Sequence, residues 1–278
     1  MAEQAFPISA NESLCHTQVR TKKLTMIQNT PRLLILGGTT EATALAHHLS
    51  EKSGISAIIS LAGRTKSPAL PPIPYRIGGF GGIDGLCDYI LYEKISAIID
   101  ATHPFASIMS RNAFEACSRL DIPRLTLTRP AWRASAGDNW TTVTDADAVA
   151  LAIGKSPRNV FLTVGRLSLN SFTQAAQHRY VIRTIDEPDP ASLPPHARLI
   201  FARGPFTIND EQRLLETEKI SVLITKNSGG SATDAKLLAA RYLQIPVIMI
   251  DRPADLPGEI VHSLDEAMFW LNAHGFRP

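Results

Sequence analysis

With 278 residues, 44% of them hydrophobic, the chain can bury an extensive core in one large domain or two smaller ones. Its formal net charge is +2 and it has no long basic run, which argues against a dedicated nucleic-acid binder. The three scattered cysteines, Cys15, Cys87 and Cys117, lack zinc-ligand spacing and suit a reducing cytoplasm, and no apolar run is long enough to span a bilayer.

Residues 1 to 30 are polar and without periodicity. Lys22 and Lys23 precede no secretory apolar region, so a disordered tail is expected, with Met26 an alternative start. Order begins at Arg32. Leu33 to Leu36 reads as a buried strand, followed by Gly37-Gly38-Thr39-Thr40-Glu41-Ala42 and a helix over Thr43 to Lys52. A first strand that turns into a helix through glycines is the usual seat of a dinucleotide pyrophosphate. The spacing departs from G-x-G-x-x-G, so a capped helix start with no ligand is the competing reading.

A second strand, Ser56 to Leu61, runs into Ala62-Gly63-Arg64-Thr65-Lys66. An acid at this place reads the ribose of NAD, whereas a cation accommodates the 2′-phosphate of NADP. Only Arg64 and Lys66 are present. A Pro- and Gly-rich loop over Ser67 to Gly85 holds one short strand, Tyr75 to Ile77, and a helix runs from Ile83 to Lys94. The third main strand, Ser96 to Asp100, ends in Ala101-Thr102-His103-Pro104-Phe105. Pro104 biases His103 away from the α region and sharpens the turn. His103 is a candidate proton donor or cofactor-packing ring, and equally a helix cap. After a helix over Ala106 to Arg119, the strand Arg124 to Thr128 closes on Arg129-Pro130-Ala131-Trp132-Arg133. Four strands alternating with helices predict a parallel sheet covered on both faces, an N-terminal Rossmann-like domain over 31–136.

The small, polar run Ala134 to Asn139 marks a boundary, and a C-terminal α/β domain is expected over 137–278. Its predicted elements begin with a helix (Asp145–Ile153), a strand (Asn159–Thr163) ending in Val164-Gly165-Arg166, a helix (Leu167–Gln177) and an extended stretch (Tyr180–Arg183). The strand Arg198 to Ala202 then ends in Arg203-Gly204-Pro205-Phe206, and a helix spans Thr207 to Glu218. A strand from Ile220 enters Lys226-Asn227-Ser228-Gly229-Gly230-Ser231, with a helix over Ala232 to Leu243 behind it. The strand Pro246 to Ile250, the extended Glu259 to His262 and a helix from Leu264 to Asn272 close the chain. The Gly-rich turn after Lys226 is either a ligand-holding loop at a helix N-terminus or a plain connection.

Several chemistries are excluded. Val149 stands where a P-loop ending in Gly154-Lys155-Ser156 needs its first glycine. There is no Tyr-x-x-x-Lys pair, no G-x-S-x-G elbow and no zinc-spaced histidine pair, so a metal-free site is expected. The charged and Gly-bearing turns all fall at carboxyl ends of predicted strands, where ligands of open parallel sheets bind. Two such edges facing each other would form a cleft lined with arginines, suited to a polyanionic substrate.

The ordered set LLILGGTTEATALA, SLAGRT, DATHPFA, LTRPAW, TVGR, RGPF and TKNSGGSATDAKLLAARYLQIPVIMI, between Arg32 and Pro253, resembles the precorrin-6A reductase family of cobalamin biosynthesis. The resemblance implies two Rossmann-like domains around a cleft and NADPH as hydride donor. It also implies precorrin-6A, an anionic tetrapyrrole, reduced to precorrin-6B. Gly37, Gly38, Thr39, Thr40 and Glu41 would form the dinucleotide turn. Arg64 would read the 2′-phosphate. Asp100, Thr102, His103 and Pro104, with Lys226, Asn227, Ser228, Gly229 and Gly230, would form the cleft edge against the cofactor. Arg129, Arg166 and Arg203 are the expected carboxylate binders. His103 and Lys226 are the candidate proton donors, with solvent as the alternative. The expected partners are the substrate and neighbouring pathway enzymes that take over its product, with neither nucleic acid nor membrane. The alternatives are an NADPH reductase of another small molecule and a non-catalytic NADP(H) sensor.

Overall fold

The computed structural model describes residues 30–52, 54–63 and 70–277. The expected tail, apart from Thr30, lies outside them, as do Arg64 and Lys66.

The first part of the chain contains β1 (Arg32–Leu36), α1 (Thr40–Ser50), β2 (Ser56–Leu61), β3 (Tyr75–Ile77), α2 (Gly82–Tyr92), β4 (Ile95–Asp100), α3 (Ser107–Leu120) and β5 (Arg124–Leu127). The second contains β6 (Trp140–Val143), α4 (Ala146–Ala152), β7 (Asn159–Thr163), β8 (Arg179–Thr184), β9 (Ala197–Phe201), α5 (Ile208–Thr217), β10 (Val222–Lys226), α6 (Ala235–Tyr242) and β11 (Val247–Ile250). The chain ends with β12 (Glu259–Val261) and α7 (Leu264–Ala273).

These strands form two six-stranded parallel sheets, ordered β3-β2-β1-β4-β5-β12 and β9-β8-β7-β10-β11-β6. The first sheet has the doubly-wound order 3-2-1-4-5-6, and β7 to β11 repeat 3-2-1-4-5 in the second, whose sixth place is taken by β6, the strand that precedes them in the chain. The order reverses between β1 and β4 in the first sheet and between β7 and β10 in the second. The central strands are apolar along their length because helices cover both faces. In β1, Leu33 and Ile35 pack with α1 and α7, while Leu34 and Leu36 pack with α2 and α3. Phe161 of β7 and Leu223 of β10 pack with α5 and α6, opposite Leu162 and Ile224. Each such side chain contributes roughly 1.5–3 kcal/mol on burial, which holds every crossover helix to its sheet.

The structure changes four expectations. First, the chain's end does not stay in a 137–278 unit. β12 pairs with β5, Glu259 opposite Leu125, and Ala267, Trp270 and Leu271 of α7 complete the first core. Second, β6 is a strand where none was expected. Its Thr141 and Thr142 are exposed, so this edge strand carries no apolar alternation. Third, the expected helix at Leu167 to Gln177 is two short 3₁₀ turns, Arg166–Ser168 and Asn170–Phe172. Polar side chains there bond the backbone locally, as Thr173 Oγ1 does to the Asn170 carbonyl, and compete with α-helix. Finally, α6 starts at Ala235 rather than Ala232, leaving residues 227–234 as a loop.

Candidate functional site

The carboxyl ends of β1 and β4 meet at the first reversal of strand order. Gly37 sits close against β2, and an added Cβ would lie 2.8 Å from Ile59 Cδ1. Gly38 has φ +118° and, among the described residues, no atom within 4 Å of an added Cβ, so its backbone is open to an approaching group. Thr39 caps α1, accepting from Ala42 N–H at 3.2 Å and donating to the Ala101 carbonyl at 2.8 Å. That second bond ties the helix start to the end of β4. Glu41, in the first turn of α1, accepts from Arg129 Nη1 at 2.9 Å. Burial raises the Glu41 pKa, but its own backbone N–H and the Arg129 guanidinium outweigh burial and hold it below the ordinary carboxylate value. The ion pair thereby offsets a negative charge at the helix end where an anion would bind.

After β4, the Asp100 carboxylate is 2% exposed. Its Oδ1 accepts from Thr102 N–H at 3.1 Å and from Thr102 Oγ1 at 2.7 Å. Oδ2 has no partner among the described residues. His103 Nδ1 accepts from Phe105 N–H at 3.2 Å, which places the imidazole proton on Nε2. Burial first, then the charges of Arg129, Lys226 and Arg252, lowers the His103 pKa to about 4. His103 is therefore neutral at neutral pH, and an imidazolium acid is not available there. Lys226 Nζ stands 5.0 Å from the centre of the Phe105 ring, so the fold brings both candidate proton donors to one place.

A cavity of about 200 Å³ opens beside these residues, between β4, β5, the start of α3 and the segment after β11. Asp100, Thr102, His103, Ser107 and Ser110 line one side. Arg111, Arg124, Arg252 and Asp255 are also at its wall. The α3 N-terminus has no side-chain cap and no acid in its first turn, which suits an anionic group. Arg111, Arg124 and Arg252 were missed in the sequence. Arg252 obeys the strand-end rule, since it follows β11 by two residues. Arg111 lies inside a helix and Arg124 at a strand start, where that rule gives no signal.

Asn227 to Gly230, expected either to hold a ligand or to connect strand and helix, bond the first unit of the chain. Asn227 is 7% exposed. Its Oδ1 accepts from Trp132 N–H at 2.8 Å and its Nδ2 donates to the Trp132 carbonyl at 3.1 Å. Trp132 Nε1 donates to the Gly230 carbonyl at 2.8 Å. Arg129 Nε donates to the Ser228 and Gly229 carbonyls at 2.8 and 2.9 Å. Arg252 donates to the carbonyls of Asn227, Arg129 and Ser228, each at 2.9 Å. An added Cβ on Gly229 would lie 2.1 Å from the Pro130 carbonyl oxygen, and one on Gly230 would lie 2.5 Å from Arg129 Cδ. The close approach that these glycines permit is thus taken up by the first unit, and the turn clasps the two units together. Arg129, expected on substrate, is committed to this clasp and to Glu41. Of the other expected carboxylate binders, Arg166 follows Gly165 after β7 and Arg203 is exposed after β9; neither lines the 200 Å³ cavity.

The family model for the precorrin-6x reductases CbiJ/CobK matches residues 32–272. This chain belongs to that family. It is 47% identical over 247 residues to the precorrin-6A reductase of Rhodobacter capsulatus, covering 89% of this chain and 98% of the relative. It is 48% identical over 242 residues to that of Rhodococcus erythropolis, with 86% and 97% covered. A solved structure of CobK precorrin-6A reductase superposes with a TM-score of 0.84 at 47% identity, covering 89% of this chain and 98% of that one. The family's fold is therefore the one described, with two parallel α/β sheets. Among the described residues no helix is long and apolar enough to cross a membrane.

Proposed function

We propose that this chain is a cytoplasmic NADPH-dependent precorrin-6A reductase of cobalamin biosynthesis, forming precorrin-6B. The observation that carries this reading is the open Gly38 backbone at the first reversal of strand order, beside an arginine-walled cavity. A dinucleotide fits there: Gly37 lets the turn lie close on β2, Gly38 leaves backbone room for the pyrophosphate, and the Glu41–Arg129 pair offsets the charge that would oppose it. When bound, NADPH supplies a hydride to one carbon of the conjugated macrocycle.

The chain's own residues position and charge the site. Thr39 holds the α1 start against Ala101 and so sets the distance between the two sides of the crevice. Arg111 and Arg124, beside the uncapped α3 N-terminus, offer fixed positive charge to the substrate's carboxylates. Arg166 and Arg203 offer further cations from the second sheet's edge. The carbon next to the reduced one must gain a proton. Neutral His103 is a poor acid and orients rather than protonates, so the proton comes from Lys226 or from water.

Incubation with NADPH and precorrin-6A, following the chromophore, tests the proposal. Enzyme-dependent loss of conjugation with one NADPH oxidised per tetrapyrrole is expected. Tight binding of both redox states of the cofactor without turnover would instead make the chain a sensor.

A further inference from the structure

We infer that Lys236 is a positioning residue, whose ammonium holds the 227–234 loop against the first unit and thereby keeps the two sheet edges aligned across the site. Lys236 lies in the first turn of α6 and is 4% exposed. Its Nζ donates to the Thr233 carbonyl at 2.7 Å and stands 4.8 Å from the centre of the Trp132 ring. Thr233 belongs to the loop. Trp132 belongs to the turn after β5 and bonds Asn227 and Gly230 at the other end of the same loop. One ammonium therefore touches both partners of the clasp without lining the cavity. A methionine of similar length would fill this place without the desolvation penalty, so the contribution of Lys236 lies in what its charge contacts.

The charge is also adjustable. Burial first, then Arg183, lowers the Lys236 pKa from 10.5 to about 7, while Glu211 and Asp234 act in the opposite direction and Arg129 adds to the lowering. These groups face it from β8, α5, its own helix start and the turn after β5. Glu211 is 1% exposed and ion-paired to Arg183, and its Oε2 has no partner among the described residues. Loss of the proton near neutrality removes the cation–π contact and weakens the bond to Thr233. Opening of the 227–234 loop removes both contacts while Nζ stays in its buried place beside Arg183 and Glu211, so protonation favours the closed loop. Global unfolding instead hydrates the ammonium, and there the sign is opposite. Between pH 7 and 10.5 the unfolded chain keeps a proton that the folded chain has lost, so folding stability rises with pH while the clasp loosens.

The test needs neither cofactor nor substrate, so it stands or fails apart from the reductase reading, on which only its catalytic consequence rests. Amide hydrogen exchange of peptides covering 227–234 is measured at pH 6 and pH 8.5 and corrected for intrinsic base catalysis. The natural protein should lose roughly 10-fold of its protection at the higher pH. Lys236→Met should show the low protection at both pH values, and Lys236→Arg the high protection at both. In parallel, the stability of the natural protein relative to Lys236→Met should rise from pH 7 towards 10.5. Protection that is independent of pH in the natural protein, or natural protection in folded Lys236→Met, overturns the inference.

Discussion

The two sheets share one strand order over five strands but differ in what stands against their glycine turns. At the first reversal, Gly38 has no described residue near its missing side chain. At the second, Gly229 and Gly230 face Pro130 and Arg129 at distances no side chain could share. The same residue type at a reversal of strand order thus leaves open space in one unit and admits a neighbouring backbone in the other. A glycine-rich βα turn reports that something comes close. It does not report what.

Adding side chains tests this difference most strongly at the clasp. Gly229→Val should destabilise the fold by roughly 3–5 kcal/mol, since it combines a φ of +69° with a backbone clash and loss of the Arg252 geometry. The denaturant midpoint of the variant measures this; a drop below about 1 kcal/mol would mean that the turn is not clasped. Arg252→Ala removes three hydrogen bonds, leaving the Asn227 and Arg129 carbonyls without that donor while Ser228 keeps Arg129 Nε, and should cost about 2–4 kcal/mol. The same unfolding assay reads it, and Arg252→Lys should recover only part because one ammonium cannot reproduce the fork.

His103 sharpens the comparison through pH, because burial first, and then Arg129, Lys226 and Arg252, depress it, and two of those three cations belong to the clasp. Its folded pKa of about 4 lies below the ordinary 6.5. Its contribution is therefore complete above pH 6.5 and lost as pH falls towards 4, because the unfolded chain takes up the proton first. Relative to His103→Gln, the natural protein should lose about 1–3 kcal/mol of stability across that window. Parallel unfolding curves at pH 7 and pH 4.5 check it; equal pH dependence in both proteins would place His103 in solvent. The smallest effect on folding is expected at the open turn. Gly38→Ala should cost only about 1–2 kcal/mol of stability, from its positive φ alone. NADPH affinity should fall by roughly 10-fold or more, as the methyl enters the space left for the pyrophosphate. Calorimetric titration separates the two effects, and unchanged affinity would move the cofactor away from this turn.

Much of the architecture was legible along the chain. Apolar runs such as Leu33 to Leu36 and Val222 to Thr225, each followed by a helical period, determined a repeated strand–helix alternation with parallel sheets. The ordered motifs determined the family. These features are local: strand propensity, helix caps at Thr39 and Ser263, and apolar spacing act within a few residues. The tertiary structure decided the rest. Glu259 to Val261 shows only that it is extended, yet it closes a sheet begun more than 200 residues earlier, because β5 offered an unpaired edge and α7 an apolar face to the first core. Arg129 and Arg252 read as ligand-binding or unremarkable cations, yet the Arg129 guanidinium meets the Ser228 and Gly229 carbonyls of the second unit and that of Arg252 meets the Arg129 carbonyl of the first. His103 and Lys236 have ordinary pKa values in an unfolded chain; burial and charges from distant elements set their folded values. Desolvation and pairing depend on which surfaces meet in space, and that is settled only when the turns after β5, β10 and β11 come together.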